Sequence, residues 1–179
     1  AWDNNKNTSP KSLIVSAFSP IPDVTKSITP DLSHNPDLVV LRINFNSKNY
    51  RLGGSILSET LKKDLGEVPD MEAIEEFPKI FNFVAKLIKD RKIFSYHDIS
   101  DGGLIACLVE MIISSNCGFD LKTELSKKDL QDFLFSEELG FVIQVSKETF
   151  NEIEVFMKAI RAEAVSYTHL RAHETSHDL

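Results

Sequence analysis

The stretch SYHDISDGGLIACLVEM, residues 95–111, places His97, Asp98, Ser100, Asp101, Gly102 and Gly103 directly before an almost wholly apolar run. A simple change of direction needs one glycine. This junction carries two, beside two carboxylates, a hydroxyl and an imidazole. As chemistry, the pattern suits an anion site at the start of a helix. Ser100 stands where a capping hydroxyl would, and glycines at 102 and 103 would let a ligand approach first-turn amides, whose partial positive charge stabilises a phosphate. Asp98, just upstream at a strand end, could ligate the Mg²⁺ that accompanies a nucleotide. The same residues also fit a structural turn in which Ser100 and Asp101 cap the helix and the glycines relieve crowding. D-G-G turns are common, so spacing alone leaves both readings open. His97 reads as a packed, hydrogen-bonded residue rather than an acid or base. Glu110 interrupts the apolar run 104–113 and reads either as an exposed helix edge or as a paired, partly buried carboxylate.

The elements that must position this junction follow from periodicity. SLIVSAF (12–18) and LVVLRINF (38–45) read as strands; the second alternates Leu41, Ile43 and Phe45 with polar Arg42 and Asn44. Between them Pro20, Pro22, Pro30 and Pro36 make 19–37 a long surface connection. After RLGGS, whose Gly53, Gly54 and Ser55 give a weak phosphate signal, a helix over 55–65 is expected to end at Gly66. A longer helix around Pro78 presents Phe77, Ile80, Phe81, Val84, Leu87 and Ile88 on one face, which should pack on a sheet. IFSYHDIS, GFDLKT and GFVIQVS read as strands, and 104–114, the Ser126-capped KKDLQDFLF and 148–160 as helices. Glu137 and Glu138 in FSEELG read as solvated carboxylates at a helix end. Alternating strands and helices imply an α/β (α+β) fold, a mixed sheet covered by helices.

Composition narrows the function. With 179 residues, 42% of them hydrophobic, the chain is long enough for one domain with its own core. A net charge of −7 argues against a dedicated nucleic-acid or anionic-membrane surface, though a small phosphorylated ligand can still bind locally. Cys107 and Cys117, with no CxxC spacing, read as free thiols of a reducing compartment. No apolar run approaches the eighteen residues of a membrane span, and AWDNNKN lacks a signal-peptide pattern, so the expectation is a cytoplasmic protein or a piece of one. VSYTHLRAHET (165–175) resembles a translated sequencing-library adapter. Residues 165–179 are therefore set aside as a scar, together with the i, i+4, i+8 spacing of His169, His173 and His177, and the gene is expected to be interrupted near Ala164.

Six motifs carry a resemblance: SPKSLIVSAFSPIPDV, ITPDL, RLGGSIL, SYHDISDGGLIACLVEM, NCGFDL and LFSEELGFVIQV, together spanning most of 9–146. In order and spacing they are similar to the long-chain, glutamine-dependent phosphoribosylformylglycinamidine synthases of purine synthesis. The chain resembles the second C-terminal-type domain of their aminoimidazole ribonucleotide synthase-like region. The resemblance implies an ATP-dependent C–N ligase that converts formylglycinamide ribonucleotide, glutamine and ATP to the amidine, ADP, phosphate and glutamate. It implies Mg²⁺ and ATP (or ADP) as cofactors. In the family's H-D-x-S-D-G-G motif the aspartate after the histidine is a Mg²⁺ ligand, which falls on Asp98, and the serine contacts the nucleotide, which falls on Ser100.

The implied organisation is the end of a preceding nucleotide-binding domain and linking strand at 1–18, a proline-rich connection at 19–37, the aminoimidazole ribonucleotide synthase C-terminal-like domain at 38–164, and the tail at 165–179. The implied partners are formylglycinamide ribonucleotide, the nucleotide, the preceding domain and a following glutaminase domain, with no nucleic acid and no membrane. The family's Gly-rich nucleotide loop, its other metal carboxylates and the glutaminase Cys, His and Glu are not found in this sequence. One carboxylate and one serine cannot form a Mg-nucleotide site unaided, so the chain alone is expected to be inactive. It either completes a catalytic nucleotide site or acts as a scaffold around a structural nucleotide; another ATP-dependent member of the superfamily is the remaining alternative.

Overall fold

The computed structural model describes residues 13–21, 23–45, 50–72, 74–121, 125–160 and 170–174. Five strands, β1 (Leu38–Asn44), β2 (Ile93–Ile99), β3 (Cys117–Leu121), β4 (Gly140–Ser146) and β5 (Leu170–Glu174), form one sheet in the order β2-β4-β1-β5-β3. The helices are α1 (Ile56–Leu61), α2 (Phe77–Lys89), α3 (Gly103–Ser115), α4 (Lys127–Phe135) and α5 (Lys147–Ala159). The α/β layering expected from the sequence is present. Strand direction differs from the mixed sheet expected, because the pairings β1–β4, β1–β5, β2–β4 and β3–β5 are all antiparallel. β1 and β2 do run the same way, as strands joined through helices tend to. β4 inserts between them and pairs antiparallel with both.

The β4 ladder sets the two faces. Leu41, Ile43, Phe141, Ile143 and Val145 point to one side, where Ile80, Val84 and Leu87 of α2 and Ile153 and Met157 of α5 cover them. Val40, Val142 and Ile99 point to the other, against Leu104, Cys107, Leu108 and Met111 of α3 and Phe133 of α4. Both faces are thus buried, and the polar positions of β1 are not solvated as alternation suggests: Arg42 and Asn44 are buried. The helix around Pro78 packs as expected, except that Phe81 stays exposed and stacks on Phe77, ring centroids 6.0 Å apart.

Three boundaries depart from expectation. α1 stops at Leu61, capped by Lys62 in a left-handed conformation (φ 52°), and Gly66 belongs to a separate turn. Residues 13–18 form no strand; Leu13, Ile14, Val15 and Phe18 are 78–94% exposed, because no other strand of the described chain offers them a ladder. Ser12, Pro22, 165–169 and 175–179 lie outside the described residues. Within the stretch set aside as a scar, β5 pairs along five residues with β3 and at Leu170 with Val40 of β1. Such a ladder uses main-chain groups, so it places no demand on where the sequence came from. Among the described residues no helix is long and apolar enough to cross a membrane.

Arg42 is the oddest core residue. Its Nη1 donates to the Phe133 carbonyl at 3.1 Å and its guanidinium lies 5.2 Å from the ring centroids of both Tyr50 and Phe133. Buried Nε and Nη2 find no hydrogen-bond partner among the described residues, and burial lowers the pKa of the group below the ordinary arginine value. Two rings and one carbonyl offset only part of that desolvation. Arg42→Met should therefore raise the unfolding free energy of the chain, by about 1–3 kcal/mol, in urea denaturation; a less stable variant would show the guanidinium to be net stabilising.

Candidate functional site

Asp98 lies at the end of β2, an edge strand, directly opposite Phe141 of β4. It shares a sheet face with Tyr96 and Phe141, whose rings stack at 5.2 Å, while its own side chain is 70% exposed. Ser100 follows in the turn, also exposed. Sequence and structure agree that these two residues stand together at the strand-to-helix junction, before α3.

The turn works differently from the expectation. Ser100 does not cap α3 through its hydroxyl; its carbonyl accepts from the Gly103 amide at 3.0 Å. The N-cap position belongs to Gly102, in a left-handed conformation (φ 85°), followed by Gly103 at φ 71°. A Cβ on Gly103 would lie 2.7 Å from the Ser136 carbonyl oxygen and the Phe135 carbonyl carbon. Two glycines are needed because the backbone turns left-handed twice and then passes against the end of α4. The Gly102 amide is not open to a ligand. It donates to Glu137 Oε1 at 2.8 Å, and the same oxygen accepts from the Ile56 amide at the start of α1, at 2.9 Å. A side-chain carboxylate thus occupies the position the sequence suggested for a phosphate.

The two glutamates of FSEELG, expected to be solvated, hold this region together. Glu138 is fully buried, and its two oxygens accept from Arg51 Nε at 2.6 Å and Nη2 at 2.9 Å. Arg51 also reaches the Asp70 carbonyl (2.7 Å) and Glu72 (3.1 Å), and the Glu138 carboxylate raises its pKa further above the ordinary value. The RLGGS loop is packed rather than open: a Cβ on Gly53 would sit 2.1 Å from the Gly66 carbonyl oxygen, and buried Ser55 caps α1 by accepting from the Ser58 amide. No local pattern announces the Arg51–Glu138 pair, since 87 residues separate the partners.

His97 is hydrogen-bonded, as expected. Nε2 meets Glu110 Oε2 at 2.8 Å and Nδ1 meets the Asp98 carbonyl at 2.8 Å. Glu110 combines its two readings, being 62% exposed and paired. Cys107 is buried, and desolvation pushes its thiol up to about 12, which removes it as a nucleophile near neutral pH. A cavity of about 400 Å³ lined by Tyr50, Arg51, Leu52, Lys128 and Asp132 among others lies apart from Asp98 and Ser100.

The donors fit a divalent cation in one limited sense. Among the described residues no group of three or more His, Cys, Asp or Glu side chains could enclose a metal. Mg²⁺, however, is commonly held by one or two carboxylates plus substrate phosphates and water. Asp98 offers an exposed, hard oxygen donor, with its Oδ1 3.6 Å from His97 Nδ1. It suits a single ligand, not a whole site.

Comparison with known proteins gives a consistent result. Residues 46–167 match the family model described as AIR synthase related protein, C-terminal domain. The chain is 36% identical over 146 residues to human phosphoribosylformylglycinamidine synthase, which covers 80% of this chain and 11% of that protein. It is 34% identical over 154 residues to an Arabidopsis thaliana protein called probable phosphoribosylformylglycinamidine synthase, chloroplastic/mitochondrial, again covering 86% of this chain and 11% of the relative. The fold is shared with T. maritima PurL complexed with FGAR (TM-score 0.57, 16% identity, 84% of this chain and 26% of that one) and with T. maritima PurL complexed with ATP (TM-score 0.54, 13% identity, 85% and 24%).

Two outcomes follow from the packing around the junction. Glu137→Ala frees two amides at once and should cost about 1–3 kcal/mol in chemical denaturation, with Glu137→Gln recovering part because its Oε1 still accepts; full stability of the Ala variant would show that water replaces the carboxylate. Cys107, protonated throughout the neutral range, should resist a thiol reagent at pH 8 in the native chain and react on unfolding. Rapid native labelling at Cys107, located by peptide mapping, would contradict its burial.

Proposed function

The chain belongs to the AIR synthase related protein, C-terminal domain family, and from that premise we propose that it is the second such domain of a long-chain, glutamine-dependent phosphoribosylformylglycinamidine synthase. The chain spans 11% of the length of the curated relatives it matches, so the activity proposed is that of a larger cytoplasmic enzyme to which this domain contributes. That enzyme is an ATP-dependent C–N ligase acting on formylglycinamide ribonucleotide with glutamine as the amido donor. The identity to the human synthase across 80% of this chain is the observation that carries the reading.

In this proposal Asp98 supplies one oxygen ligand to Mg²⁺, and the exposed Ser100 hydroxyl hydrogen-bonds the nucleotide phosphates. Mg²⁺, when bound, neutralises charge on the phosphates. The turn residues Asp101, Gly102 and Gly103 set the direction of the backbone between Asp98 and α3, and Glu137 fixes the turn by holding the Gly102 amide. The remaining metal carboxylates come from the domain that precedes this one, whose last residues are 1–18; the bare apolar side chains of Leu13, Ile14, Val15 and Phe18 support that assignment. A glutaminase domain follows. The alternative is a domain that holds a nucleotide structurally rather than at the reacting centre.

Calorimetric titration of the full-length enzyme with Mg-ADP tests the role of the junction. Asp98→Ala should weaken the Mg²⁺-dependent part of binding at least tenfold, and Ser100→Ala should weaken nucleotide binding by roughly 1.5–3 kcal/mol, the worth of a hydrogen bond to a charged group. Wild-type binding by folded Asp98→Ala would remove the metal role. If binding is lost while turnover persists, the structural reading holds.

A further inference from the structure

We infer that Glu110 and His97 are positioning residues for Asp98, a short relay that fixes the end of β2 from the body of α3. This rests on the reading of Asp98 as a Mg²⁺ ligand. The Tyr96 amide bonds outward to the Thr29 carbonyl at 3.1 Å, away from β4. Backbone groups alternate in direction every residue along a strand, so the Asp98 N–H and C=O also face outward from this edge. Among the described residues no neighbouring strand takes that carbonyl. The His97 ring takes it instead, through Nδ1 at 2.8 Å. The Asp98–Ile99 peptide, the last regular one before the turn, is thereby held in one orientation, and with it the carboxylate of Asp98.

The ring needs an anchor of its own. Glu110 Oε2 provides it at 2.8 Å, from a residue seven positions into α3, two helical turns beyond Gly103. The relay therefore runs from a helix whose inner face is buried, through carboxylate and imidazole, to the main chain of the candidate ligand. It explains why a carboxylate interrupts the apolar run 104–113 at a position that is mostly exposed: Glu110 reaches over the sheet edge. Contacts that orient metal ligands typically change metal affinity by 10- to 100-fold when removed. A pair whose carboxylate is as exposed as this one contributes little to stability. The two roles, positioning and mere surface pairing, thus predict different things.

The test uses the full-length enzyme, Mn²⁺ as the probe in the presence of ADP, and free Mn²⁺ followed by electron paramagnetic resonance. Asp98→Ala should abolish a class of ADP-dependent Mn²⁺ binding. Glu110→Ala should weaken the same class about tenfold while its thermal midpoint stays within about 2 °C of wild type. Glu110→Gln, whose side-chain amide can either accept from or donate to Nε2, should restore most of the affinity, and His97→Gln, cutting the next link, should weaken it again. If Asp98→Ala loses the class while Glu110→Ala and His97→Gln bind as wild type, the relay is overturned and the ligand role of Asp98 stands. If Asp98→Ala itself binds as wild type, the ligand role fails and the relay with it. A Gln variant no better than Ala would also overturn the relay.

Discussion

The buried carboxylate of Glu138, held by both Nε and Nη2 of Arg51, is the contact on which the arrangement around the junction depends. Arg51 follows β1 by a few residues and carries with it the Asp70 carbonyl and Glu72, so one guanidinium gathers the loops on either side of α1. Glu138 lies two residues before β4, the strand that pairs with both β1 and β2. A buried ion pair with good geometry on every donor adds modestly to stability but severely penalises any arrangement that separates it. That penalty fixes where FSEELG runs. Its neighbour Glu137 is consequently delivered to the one point where the starts of α1 and α3 meet, and a single oxygen serves both amides.

This internal carboxylate changes the meaning of the glycine-rich turn. A turn with open amides would attract phosphate by itself; a turn whose Gly102 amide is filled presents side chains instead. What remains available is the strand end, where Asp98 and Ser100 project. In the proposed function the junction is accordingly a donor to a shared site, in keeping with a domain that spans a small part of its relatives.

Much of this was legible in the sequence because it is local. The apolar period around Pro78, the Ser126 cap with Asp129, the GFVIQVS strand and the position of Asp98 at a strand end all depend on residues within a turn or a strand of each other. The misreadings share a cause: their explanations lie far along the chain. The alternation of Arg42 and Asn44 with apolar neighbours gave no sign of their burial, because nothing in β1 tells that α4 will cover that face. Gly66 looked like a helix stop, but Gly53 packs against its carbonyl, and the helix ends earlier at Lys62. Glu137 and Glu138 looked like surface charges because their partners lie 35 to 87 residues away along the chain. Strands 12–18 and 38–45 looked alike; only the second has a partner within the described residues.

The edge of β2 has a further consequence, for self-association. An exposed strand edge with outward N–H and C=O groups is a template onto which another chain can add. Here two of those groups are already spoken for, the Tyr96 amide by Thr29 and the Asp98 carbonyl by His97, and the Asp98 side chain places a negative charge at the same rim. The sheet is blunted against edge-to-edge growth on that side. The bare run of Leu13, Ile14, Val15 and Phe18 has no such protection, which makes it, rather than the β2 edge, the adhesive part of the chain when it is handled in isolation.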